Sequence, residues 1–88
     1  MLKTYRDRDT SETVKAEQFD GSAEMISSYN IQTEYRFGVE FYYIVYCWQR
    51  HYIQSGDWIM TDRMGKVIDT LNDHELNEYY ENVNNRGG

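Results

Sequence analysis

The sequence predicts an α+β fold, a small antiparallel meander of about four to six strands with a short helix after the second strand and a C-terminal helix. Three observations carry this. Apolar and polar residues alternate in short runs between turn signals. Gly56-Asp57 and Gly65 stand where the chain has to reverse. Asn72, with Glu75 three residues on, reads as a capping box that opens a helix. A chain of 88 residues has room for one core, so residues 1–83 are expected to form a single domain and 84–88 a disordered tail.

Leu2 to Arg6 reads as a short edge strand, and Asp7 to Glu12, polar throughout, as a loop. Thr13 to Phe19 alternates Val14, Ala16 and Gln18 on one face with Thr13, Lys15, Glu17 and Phe19 on the other, a half-buried strand. Asp20-Gly21-Ser22 stops it, and Ser22 can cap a short helix whose Met25, Ile26 and Tyr29 recur at one-turn spacing before Asn30 ends it. Gln32 to Phe37 is readable as a strand that ends at Gly38.

Val39 to Trp48 is the strongest strand. Phe41, Tyr43, Val45 and Cys47 point one way and Tyr42, Ile44, Tyr46 and Trp48 the other, so both faces are expected to be covered, in the middle of a sheet. Gln49 and Arg50 are placed in a turn, and His51 to Ile53 and Asp57 to Thr61 in the next two strands. Asp62 to Gly65 has the length of a tight connection, after which Lys66 to Leu71 returns antiparallel. Leu76, Tyr79, Tyr80 and Val83 then continue the terminal helix as one apolar stripe.

Composition bounds the function. Nine tyrosines and two tryptophans exceed what a small core needs, so many rings must sit half exposed. Half-exposed tyrosines are a recurrent ingredient of interfaces, although plain β-strand propensity explains them as well. Net charge is −6, and no Lys or Arg occurs between Val67 and Asn85, where Asp69, Asp73, Glu75, Glu78 and Glu81 fall. Such a surface repels phosphate backbones and disfavours direct nucleic-acid binding; it suits a basic protein partner, or simply keeps the chain soluble. Cys47 is the sole cysteine, which fits a reducing compartment. Neither a signal peptide nor a membrane-spanning run is legible, so a cytoplasmic protein is expected.

Candidate chemistry fails on geometry. Cys47 and His51 look like a nucleophile and its base, but four residues of strand span about 13 Å, too far unless a turn folds them together. His74 reads as a solvated group in the first helical turn, and Asp57 as an acceptor of backbone N–H bonds in its own turn. No spacing of Cys and His suits a metal, and no glycine-rich loop cradles a phosphate. No catalytic residue, metal site or cofactor is therefore expected. The aromatic face of Tyr42, Tyr46 and Trp48 lacks the basic groove that single-strand nucleic-acid binding needs.

Lys3-Thr4-Tyr5, the run Val14-Lys15-Ala16-Glu17-Gln18-Phe19-Asp20-Gly21, then Ser55-Gly56-Asp57-Trp58-Ile59-Met60, Gly65-Lys66 and the closing Glu78-Tyr79-Tyr80-Glu81 follow one another in an order that spans nearly the whole chain. This order resembles a family of small phage and prophage proteins of unknown function, marked by Val-x-Ala-x-Gln-Phe-x-Gly and Pro-Gly-Asp-Trp-Ile-Ile segments. The chain departs from it at Ser55, where the family has proline, and at Val67-Ile68-Asp69, where Tyr-Pro-Cys is common.

The resemblance implies an origin rather than a mechanism. Together with the residues it gives the expectation of a non-enzymatic phage or prophage accessory protein, working in the cytoplasm of a bacterial host. It would bind a protein partner through Tyr42, Tyr46 and Trp48 of the sheet and Asp73, Glu75, Glu78 and Glu81 of the terminal helix. The sharper form of this expectation is an inhibitor of a basic host nucleic-acid-handling or defence enzyme, anti-CRISPR proteins included, whose carboxylates occupy a site meant for phosphates. The alternative is a structural or morphogenetic phage component that self-assembles, and an enzyme ranks behind both. An unpaired edge strand near Tyr35 allows a homodimer.

Overall fold

Residues 2–83 are described by the computed structural model. The elements in chain order are β1 (Lys3–Asp7), β2 (Thr13–Gln18), α1 (Ala23–Ser28), β3 (Gln32–Arg36), β4 (Val39–Tyr46), β5 (Gln49–Ile53), β6 (Trp58–Thr61), β7 (Val67–Leu71), α2 (Asp73–Tyr79) and β8 (Tyr80–Asn82). Antiparallel strands and two short helices agree with the sequence reading, but strand outweighs helix and the fold is mainly β.

The expected single meander is in fact two sheets. One has five strands in the order β7-β6-β2-β1-β8, the other three in the order β3-β4-β5. The chain leaves the first sheet after β2, builds the second as a local meander, and returns to pair β6 with β2, Ala16 opposite Met60. β1 is an interior strand, not an edge, because the end of the chain comes back beside it: Tyr5 faces Val14 on one side and Asn82 on the other. The terminal helix accordingly stops at Tyr79, where the sequence had continued it through Val83. Tyr80 is extended (φ −134°, ψ 158°) and starts β8.

Two apolar clusters share the five-stranded sheet. On one face Tyr5, Val14, Ala16, Trp58, Met60 and Leu71 pack with Leu76 of α2 and Tyr80. On the other Phe19 and Ile59 meet Met25 of α1, Ile31, and Ile44 and Ile53 of the three-stranded sheet. All four residues of β6 are buried. The place expected for Val39 to Trp48, a strand covered on both faces, therefore belongs to β6, while β4 is covered on one face only. Local signals fix the helix starts as expected. Ser22 Oγ accepts from Met25 N, and Asn72 and Glu75 exchange bonds in a complete capping box at 2.8 and 3.0 Å.

Candidate functional site

The three-stranded sheet is held together by two tight reversals. Arg36 faces Val39 across Phe37-Gly38, and Tyr46 faces Gln49 across Cys47-Trp48. All four turn residues have positive φ, between 53° and 77°, as a two-residue hairpin turn that matches strand twist demands. The sequence reading placed the second turn at Gln49-Arg50 because neither Cys47 nor Trp48 is a residue that prefers this conformation. Left-handed backbone costs a non-glycine residue about 1–2 kcal/mol. Here that conformation presents a ring to solvent at each end of β4, since Phe37 and Trp48 are 103% and 99% exposed.

Period-two alternation divides the residues of this sheet between two faces. Tyr42, Ile44, Tyr46, His51 and Ile53 face the five-stranded sheet. The outer face carries Val39, Phe41, Tyr43, Val45, Arg50 and Tyr52, with Glu34 and Arg36 from β3. Val39, Phe41, Val45 and Tyr52 on it are exposed. Neighbouring exposed apolar side chains of this kind, interleaved with aromatic rings and arginines, have the composition of protein interfaces.

The charges on this face are organised around one carboxylate. Glu34 accepts from Tyr52 Oη at 2.9 Å and meets Arg36 at 3.3 Å and Arg50 at 3.9 Å. The Tyr52 hydroxyl, and then the two guanidiniums, hold the Glu34 carboxyl below its usual range. Arg50 also lies over the Tyr43 ring, 4.7 Å from its centre, and Tyr43 leans on Tyr52. From Gln32 to Ile53 the charged residues are Glu34, Arg36, Glu40 and Arg50, which sum to zero. The net charge of −6 therefore lies wholly outside the three-stranded sheet.

The residues singled out from sequence are scattered. Tyr42 and Tyr46 are half-buried on the inner face. Tyr42 packs edge-on against Phe19, while the Tyr46 hydroxyl lies 3.1 Å from Thr70 Oγ1 and so links the two sheets. Trp48 is apart from both at the hairpin tip. Asp73 accepts from Trp58 Nε1, Glu75 serves the capping box, Glu78 is exposed, and Glu81 lies on β8 rather than on the helix, beside Arg6 and Arg8 at 3.6 and 3.9 Å. The outer-face residues Val39, Phe41, Val45 and Tyr52 had no separate signal in the sequence, because alternation does not say which face of a two-faced apolar strand meets water.

His51 and Asp57, both weighed for chemistry, have local partners. His51 stacks on Tyr46 with ring centres 3.7 Å apart and donates from Nε2 to the Tyr46 carbonyl at 3.2 Å, while Cys47 sits in the turn. Asp57 accepts from Gln54 N, the duty expected of it in its turn. Among the described residues no group of three His, Cys, Asp or Glu is placed to hold a metal ion, and no helix is long and apolar enough to cross a membrane.

No family model, curated protein or solved structure matches the chain. The resemblance to small phage proteins accordingly rests on the motif residues alone.

Proposed function

We propose that this chain is a non-enzymatic accessory protein of phage or prophage origin that binds a protein partner inside the bacterial host cell, through the outer face of its three-stranded sheet. The observation that carries the reading is the exposed set Val39, Phe41, Val45 and Tyr52 around the Glu34–Arg36–Arg50 cluster. A face of this composition gains free energy by leaving water, at roughly 25 cal/mol per Å² of apolar area, and its paired charges supply specificity. Trp48 and Phe37 extend it at both ends of β4 as large rings of the kind enriched among dominant contact residues.

The acidic-mimic form of the proposal, inhibition of a basic host nucleic-acid-handling or defence enzyme, draws on the charge outside this sheet. Asp73, Glu75 and Glu81 each have an intramolecular duty, which weakens the helix as a contact surface relative to the sheet.

Capture from a bacterial lysate with the intact chain, in parallel with Phe41→Ser and Val45→Arg variants, tests the face. Both positions are exposed, so the variants should fold as the parent does. The expected result is one host protein lost from both captures and retained by a Glu75→Gln/Glu78→Gln/Glu81→Gln variant at moderate salt. Retention by the sheet variants with loss from the helix variant would shift the site to the carboxylates. Recovery of virion proteins alone would favour the morphogenetic reading.

A further inference from the structure

Four strands form the open edges of the two sheets among the described residues, and three of them carry a feature that limits pairing. β8 is three residues long, β7 carries an irregularity at Ile68, where its register with Met60 and Thr61 of β6 shifts, and β5 runs into the turn in which Gly56 N donates to Phe19 O, tied to the other sheet. β3 differs from all of these. Its five residues pair with β4 in unbroken register, and it contains no proline, lysine or bulge of the kind that guards an edge.

The two-residue turn at Phe37-Gly38 fixes which backbone groups of β3 are open. The pair that closes such a turn, Arg36 and Val39, exchanges hydrogen bonds; two residues back so do Glu34 and Phe41, and then Gln32 and Tyr43. The N–H and C=O groups of Thr33 and Tyr35 therefore point to the free edge. Tyr35 is 70% exposed.

We propose that two copies of this chain pair antiparallel through β3, joining their three-stranded sheets into one six-stranded sheet. The sequence of β3 is complementary to itself. A two-fold antiparallel pairing that uses the Thr33 and Tyr35 groups is centred on Tyr35 or on Glu34. With Tyr35 at the centre, Glu34 stands directly opposite Arg36 of the partner subunit; with Glu34 at the centre, the two Glu34 carboxylates would stand opposite each other, so the Tyr35-centred register is the one proposed. In that register each chain also brings an Arg50 that already shares Glu34, so carboxylates at the junction are flanked by cations. The neutral charge of residues 32–53 lets two copies of a chain of net charge −6 approach at this edge without the repulsion they meet elsewhere. The pairing uses backbone groups at the edge of the sheet and is measured on the chain alone, so it stands or falls independently of the partner proposed above.

Sedimentation equilibrium of the intact chain, with charge variants, decides the matter. The parent chain should dimerise, and Glu34→Arg and Arg36→Glu should each weaken the dimer by roughly tenfold or more, because each places like charges at the junction twice. An equimolar mixture of the two single variants should restore the dimer as a heterodimer, since every junction pair is then opposite in sign. Thr33→Pro should give a monomer with unchanged circular dichroism, because it removes only an N–H that faces the open edge. A parent chain that stays monomeric up to its solubility limit overturns the proposal. So does a dimer indifferent to Thr33→Pro, or a mixture of the charge variants no more associated than either alone.

Discussion

Trp58 Nε1 donates to Asp73 Oδ1 at 2.6 Å, so the most buried strand of the molecule and the first turn of α2 are joined by a single charge-assisted bond. The indole of Trp58 is buried among Tyr5, Val14 and Leu76, and without Asp73 its N–H would lose this acceptor. Asp73→Ala is expected to cost about 1–3 kcal/mol, while Asp73→Asn, which keeps an oxygen at the same place, should cost less. Urea unfolding of the two variants measures the difference, and equal losses would show that the bond is not the cause.

Tyr29 Oη donates to Glu17 Oε1 at 2.6 Å, attaching the end of α1 to β2. Burial, and then the Glu17 carboxylate, pushes the Tyr29 hydroxyl well above its ordinary range, so it remains a donor in alkaline solution. Tyr29→Phe should lower stability by about 1–2 kcal/mol. A spectrophotometric alkaline titration should show this tyrosine ionising last, on unfolding; normal titration would contradict its placement.

Asp69 gives a pH dependence whose sign follows from burial. Desolvation raises the folded carboxyl above its unfolded value against the Thr70 N–H it accepts, and Glu75 adds to the rise while Tyr46 and His51 oppose it. A raised carboxyl contributes stability that is fully present below the unfolded pKa and is lost as pH rises through the folded one. Asp69→Asn should therefore be more stable than the parent at neutral pH, and the advantage should vanish below about pH 3.9, the unfolded aspartate value. Thermal melts at the two pH values check this; an equal gain at both would assign the effect to packing instead.

The Cys47-Trp48 turn places two non-glycine residues in left-handed backbone. Replacing them with Asn-Gly should raise stability by about 1 kcal/mol or more, through relief of that conformation. If the exposed indole is a contact residue, the same variant should lose partner binding while gaining stability. A variant that is no more stable than the parent would mean the turn is not strained.

The starts of both helices and most strands were legible from sequence because their signals are local. Ser22 and Asn72 cap within three residues, and Val14 and Ala16 declare their face by alternation. β8 was missed because Tyr80 also fits the helical stripe of Leu76, and only pairing with residues more than 70 positions away makes it a strand. The division into two sheets is equally non-local, since the exits from β2 and β5 look like ordinary turns. At the candidate site Trp48 was picked for its chemistry, whereas the Glu34–Arg36–Arg50 cluster was not, because it forms only when β3 and β5 flank β4.

The order β7-β6-β2-β1-β8 also sets a sequence of events in folding. No strand pairing within β3-β4-β5 is wider than Gln32–Tyr43 or Tyr42–Ile53, while the larger sheet must close loops as long as the one between Tyr5 and Asn82. Pulsed hydrogen exchange should thus protect the amides of Tyr43 and His51, which face Gln32 and Ile44 in hydrogen-bonded pairs, before Tyr5. The expected order is a neutral meander that forms first as a nucleus and an acidic remainder that condenses around it when the last strand arrives.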